Sequence, residues 1–163
     1  EDMHLHVTAQ TANHRGTLLH FSKLASAFAT LEGLAVAFAS SPAGLSLFDA
    51  VTKGNVPAVR QLLDWRADHM VKDYLLRTPL HVASQAGHRT VASLLVAFHA
   101  DVHARDSRSR TPLHVAVASG HIATARTLLN NYAVLGALDE EGCTTLHTAV
   151  RAGHLDAVVL LLA

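Results

Sequence analysis

The sequence predicts an all-α fold, a solenoid of stacked helix-turn-helix units, and three observations carry that expectation. Alanine and leucine dominate while aromatics make up only 5% of the chain, a balance that suits small-residue helix packing rather than the β-branched, aromatic composition of a sandwich or barrel. A self-similarity of 33 residues runs from Leu45 to Ala163. Within each period the signals that start and stop helices fall at the same places. With 163 residues, half of them apolar and 16% charged, the chain is also long and hydrophobic enough to fold.

Residues 1–44 are expected to form an N-terminal helical segment that covers the first face of the stack. Phe21, Leu24, Phe28, Leu31, Ala35 and Phe38 recur at three- and four-residue steps, the stripe of an amphipathic helix, and Gly33 interrupts it. A helix pair broken near Gly33 and one long helix both fit. Thr17-Leu18-Leu19-His20 and Leu5-His6-Val7 echo the repeat start out of register, as a degenerate repeat would. Leu24 to Phe38 is strongly apolar but contains Glu32 and falls short of the roughly 20 residues a bilayer requires. No membrane insertion is expected from it. Ser40-Ser41-Pro42-Ala43-Gly44 reads as a loop.

The repeat itself is sharp. Thr78-Pro79-Leu80-His81, Thr111-Pro112-Leu113-His114 and Thr144-Thr145-Leu146-His147 follow one another at 33-residue intervals. Nine residues after each leading Thr stands Gly-His, at Gly87-His88, Gly120-His121 and Gly153-His154, and an aspartate precedes each Thr by five (Asp73, Asp106, Asp139). Thr78 is placed to cap a helix whose first position is Pro79, where a missing N–H costs nothing, and Gly87 to end it in a left-handed conformation. A second helix is expected from about Thr90 to Phe98. One period earlier Leu47-Phe48, Ala50, Gly54-Asn55 and Leu62-Leu63 keep the frame, with Pro57 in the first turn of the second helix, where it is tolerated. A unit of this kind cannot bury its own apolar face, so Leu80, Val82, Leu94 and Leu95 are expected to pack on Leu113, Val115, Leu128 and Leu129.

These motifs resemble the ankyrin-repeat family from about residue 45 onward, with units at 45–77, 78–110, 111–143 and an incomplete 144–163. The resemblance implies a non-enzymatic module that binds a protein or peptide through its hairpin tips and concave face. It also implies structural roles for His81, His114 and His147, bonded to turn backbone, and for His88, His121 and His154. The alternative is a regulatory or tethering segment of a larger enzyme or membrane protein.

The thirteen histidines form no pattern that predicts a metal site or acid–base chemistry. His99 with His103, and His4 with His6, lack a third ligand nearby in sequence, and equivalent positions of successive units lie too far apart for one metal ion. No phosphate loop, nucleophile elbow or zincin helix occurs, so neither catalytic residues, a metal nor a cofactor is expected. Cys143, the only cysteine, excludes a disulfide framework and a cysteine zinc site; it fits a reducing, cytoplasmic setting and reads as an inert turn thiol. Thirteen basic against thirteen acidic residues give no pull toward nucleic acid.

The partner surface is therefore assigned to variable tip and first-helix positions: Tyr74, Leu75, Arg77, Gln85, Ser107, Arg108, Arg110, Ser119, Glu140, Glu141 and Arg151. Tyr and Arg favour interface centres, and an acidic or phosphorylated peptide suits the arginines. Against this, Arg105, Arg108 and Arg110 fit equally a turn in which they pair with Asp106 and Asp139. Finally, the helix Leu155–Ala163 is apolar on nearly every side, which leaves Val159 or Leu162 facing outward. The chain is expected either to continue into further repeats or to pair there with a copy of itself.

Overall fold

A computed structural model describes residues 46–163, and the expected helical segment of residues 1–44 lies outside them. Eight helices and no strand occur among the described residues: α1 (Leu47–Thr52), α2 (Val56–Asp64), α3 (Pro79–Ala86), α4 (Arg89–Ala97), α5 (Pro112–Ala118), α6 (Ile122–Asn130), α7 (Thr145–Ala152) and α8 (Leu155–Leu162). They form antiparallel pairs. The first helices α1, α3, α5 and α7 pack on one another in sequence order, and the second helices α2, α4, α6 and α8 form a second layer in the same order.

Local chemistry sets each boundary. Thr78, Thr111 and Thr144 are the N-caps of α3, α5 and α7, and each shares a reciprocal cap with the histidine three residues on. Pro79 and Pro112 occupy the first helical positions, where φ is already suitable. Gly87 at φ +73° and Gly153 at +71° close α3 and α7 in the left-handed region. Asn55 caps α2, with Pro57 in its first turn.

The core lies between the two layers and between successive pairs. Leu80 and Leu113, one period apart, are fully buried, as are Leu95 and Leu128. Here the expected pairing shifts by one residue: Leu95 stands in frame with Leu128, whereas Leu94 stands in frame with Thr127, and Leu129 is only partly buried against the core. Four of the expected second-layer leucines thus contribute, but in a register fixed by the 33-residue period rather than by the leucine doublets.

The histidines tie the units together. In His81, Nδ1 accepts the Thr78 backbone N–H at 3.2 Å and lies 2.9 Å from the Thr78 hydroxyl. The proton is therefore on Nε2, which donates across to the Arg110 carbonyl, 29 residues away, at 3.0 Å. His114 repeats this with Thr111 and the Cys143 carbonyl at 3.3 Å. His147 keeps the bonds to Thr144 but is exposed. The second set works backward along the stack. His88, His121 and His154 donate from Nε2 to the carbonyls of Thr52, Gln85 and Ala118, each in the preceding first helix, at 3.1, 3.0 and 3.2 Å. Each ring lies against the glycine of that preceding unit, so closely that a Cβ on Gly87 would come within 2.6 Å of the His121 ring. Glycine is required there by contact as well as by φ.

Candidate functional site

The polypeptide between successive helix pairs folds into a hairpin turn with the same internal bonds each time. In the first, Asp73 Oδ1 accepts the N–H groups of Leu75 and Arg77, both at 2.9 Å. In the second, Asp106 Oδ1 accepts those of Arg108 and Arg110, both at 2.9 Å. In the third, Asp139 Oδ1 accepts those of Glu141 and Cys143, at 3.0 and 2.8 Å. Neighbouring tips are joined by backbone bonds, Ser107 N–H to the Leu75 carbonyl at 2.9 Å and Glu140 N–H to the Arg108 carbonyl at 3.0 Å. The three tips therefore make one continuous edge beside the first helices.

Of the residues assigned to a partner surface, Tyr74, Leu75, Ser107, Arg108, Glu140 and Glu141 lie exposed on these tips. Gln85 lies in the last turn of α3, Ser119 caps the C-terminal end of α5, and Arg151 lies in the last turn of α7. Two shallow depressions gather some of them. A groove of about 440 Å³ is lined by Phe48, Thr52, Asp73, Arg77, Val82, Gln85 and Ala86, with an apolar floor between α1 and α3. A basin of about 500 Å³ is lined by Arg108, Arg110, Asp139, Glu140, Glu141 and Arg151. Ser119 lines neither.

Two of the assigned arginines carry structural duties: that of Arg110 is the turn pairing with Asp106 given above as the alternative, while that of Arg77 was not expected. Arg77 binds Asp73 Oδ2 through Nε at 2.8 Å and reaches Gln85 Oε1 at 2.8 Å. Arg110 grips Asp106 Oδ2 through Nε at 2.9 Å and Nη2 at 2.7 Å, and Asp106 is itself buried. Burial pushes the Asp106 carboxyl upward. The Arg110 guanidinium and the N–H groups of Arg110 and Arg108 outweigh that and hold it below the ordinary carboxylate range. Asp73 is held low by the same balance, with Arg77 as its partner. The Arg108 side chain, by contrast, has no hydrogen bond or ion pair among the described residues. Pairing with Asp106 thus holds for Arg110 and not for Arg108. Arg105 neutralises no aspartate; it donates to the carbonyls of Ser109 and Leu138. Arg151 pairs with Glu141.

Burial lowers the pKa of His81 and His114 against the opposing pull of the carbonyls they bond and of Asp106 and Asp139 respectively. Both rings are neutral, with Nδ1 already used as an acceptor, so they are framework. Among the described residues no group of three or more His, Cys, Asp or Glu is arranged to hold a metal ion.

The sequence reading missed an apolar collar around the first tip. Met70, Val71 and Leu76 are exposed next to Tyr74 and Leu75, and Leu76 holds φ +55°, where the third tip has Gly142 at +74°. The 33-residue frame carries that signal, since Leu76, Ser109 and Gly142 are equivalent and only the last is a glycine.

The sequence pattern of the family described as ankyrin repeats (3 copies) matches residues 47–139 and 98–163. A search of curated proteins finds no match to the chain. The two family matches together cover more than half of the chain, and the helix pairs they span stand in the 33-residue register described above: the chain belongs to the ankyrin-repeat family.

Proposed function

We propose that the protein is a non-enzymatic interaction module that receives a protein or peptide on the edge formed by its hairpin tips and first helices. Ankyrin repeats are generally protein–protein interaction modules, and one observation supports this placement in particular. Tyr74 is 88% exposed on the first tip, with four further exposed apolar residues within four positions of it, while Thr78, His81, Thr111 and His114 of the repeat motif are buried. An exposed aromatic set in an apolar collar, with an uncommitted arginine on the next tip, matches the composition of interface centres. Arg108 offers an acidic or phosphorylated group of the partner a fork of donors. The single cysteine favours a reducing, cytoplasmic setting, and no helix among the described residues is long and apolar enough to cross a membrane.

Immobilised wild-type chain and a Tyr74→Ala/Arg108→Glu variant, compared for partner capture from the source cells, test the assignment. Arg110 is left intact because it supports Asp106. The variant keeps its unfolding midpoint and loses the partner, whereas Arg60→Glu, on α2 in the other layer, retains it. Equal capture by the folded tip variant removes the proposal.

The C-terminal edge supports a second contact. Val159 and Leu162 are 68% and 69% exposed, and Val150 and Leu155 are exposed as well. We infer that this edge is an apolar contact surface, for further repeats or for a second copy. Association that light scattering detects and that Leu162→Glu with Val159→Lys abolishes supports the second copy; a wild type that stays monomeric at high concentration refutes it.

A further inference from the structure

The three hairpins are built alike in backbone and differ in one ion pair. In the first two, the outer oxygen of the aspartate is filled by the arginine four residues on. Arg77 places Nε and Nη2 on Asp73 Oδ2, each at 2.8 Å, and Arg110 places the same two atoms on Asp106 Oδ2 at 2.9 and 2.7 Å. In the third hairpin Cys143 stands where those arginines stand. Asp139 Oδ1 still accepts its two backbone N–H groups, but Oδ2 has no partner among the described residues.

This half-buried carboxylate lines the basin of about 500 Å³. The charges that face it are accounted for one by one. Arg105 donates to the carbonyls of Ser109 and Leu138, Arg110 is committed to Asp106 and Arg151 to Glu141. Glu140 and the side chain of Arg108 carry no ion pair among the described residues, and His114, on α5, is neutral with Nε2 on the Cys143 carbonyl. The uncommitted groups are thus two carboxylates and one guanidinium.

We propose that Asp139 is a receptor for a guanidinium, and that the basin takes an arginine side chain of a partner peptide into the place that Arg77 and Arg110 fill in the other hairpins. Both internal examples set two N–H groups of one planar fork on a single oxygen. An ammonium cannot reproduce that geometry, so arginine is selected over lysine. Arg108 on the same rim adds a preference for an acidic residue beside the arginine. The proposal deepens the assignment of the hairpin edge as partner surface and rests on it for the source of the arginine.

The test uses the full chain labelled with 15N and titrated with N-acetyl-arginine methylamide, with the lysine and citrulline analogues as controls. Saturable shifts of the amides from Asp139 to Cys143 are expected for the arginine probe, with binding weaker by about 10-fold or more for either control. Asp139→Asn keeps an oxygen for the two backbone donors and removes the charge; it weakens binding by a similar factor. Cys143→Arg supplies the missing guanidinium from within, so it abolishes the response and raises the unfolding midpoint. If Asp139→Asn does not fold, Cys143→Arg carries the test alone. Absence of saturable shifts, equal binding of citrulline, or undiminished binding to either folded variant overturns the proposal. A chain that captures a partner through Tyr74 and Arg108 yet ignores the probe refutes the receptor and leaves the partner surface standing.

Discussion

His114 and His147 occupy the same motif position, one between two units and one on the last described unit, so replacing each by alanine isolates what the neighbouring unit contributes. His114 is fully buried. Its loss removes the acceptor for the Thr111 N–H and the donor to the Cys143 carbonyl, and it leaves a cavity the size of an imidazole. A buried group left unpaired costs about 1–3 kcal/mol, and incomplete collapse of the cavity adds to it, so His114→Ala should destabilise by about 3–4 kcal/mol. His147 makes only the bonds to Thr144 and is exposed, which limits His147→Ala to about 1 kcal/mol. Urea unfolding followed by circular dichroism at 222 nm measures both. Losses of equal size would show that the bridge between units contributes nothing beyond the helix cap, and that the account of stacking is wrong.

Three further outcomes follow from the same bonds. Gly87→Ala should lower stability by more than 2 kcal/mol or so, because the new Cβ meets the His121 ring at 2.6 Å as well as straining φ, whereas Gly153→Ala meets open space and costs only the strain, about 1 kcal/mol; thermal melts of the pair decide it. Stability should fall as pH drops below about 6.5: the unfolded chain then takes up protons on His81 and His114 that the folded chain, with its lowered histidine pKa values, refuses. A second loss follows below about 3.8 as Asp73 and Asp106, held low in the fold, protonate in the unfolded chain first. A midpoint that stays flat between pH 7.5 and 5 contradicts the histidine assignment. Arg110→Ala should cost about 1–3 kcal/mol by stranding buried Asp106, discounted because the guanidinium is partly exposed, while Arg108→Ala should stay within about 0.5 kcal/mol. Unfolding midpoints of the two variants separate the roles.

The helix pairs were legible because their boundaries are written in local chemistry: from Thr78 onward a capping threonine and a closing glycine recur every 33 residues, with a proline at the first position in two of the three units. The division of labour among the arginines was not. Arg77 and Arg110 precede the capping threonine by one residue; pairing of Arg110 with Asp106 was one of two readings and that of Arg77 with Asp73 was not seen, because only the hairpin brings each guanidinium back onto the aspartate four residues earlier. The signal existed in the paired recurrence of Asp73 with Arg77 and Asp106 with Arg110, and in its failure at Cys143. The leucine doublets misled in a similar way. Adjacent leucines look equivalent by composition, but burial follows the period, and the period places Leu95 with Leu128. Exposure of the collar around Tyr74 was hidden because apolar residues at Met70, Val71 and Leu76 have no helical or alternating period that marks which side faces solvent.

Site-specific photo-crosslinking tests the central assignment most directly. A photoreactive side chain introduced at position 74, 108 or 85 samples the hairpin edge and first helices, and one at 60, 89 or 126 samples exposed positions of the second-helix layer. One partner band is expected to form from the first three positions and to be absent from the other three. Crosslinks that arise only from positions 60, 89 and 126 would place the partner on the opposite layer and contradict it.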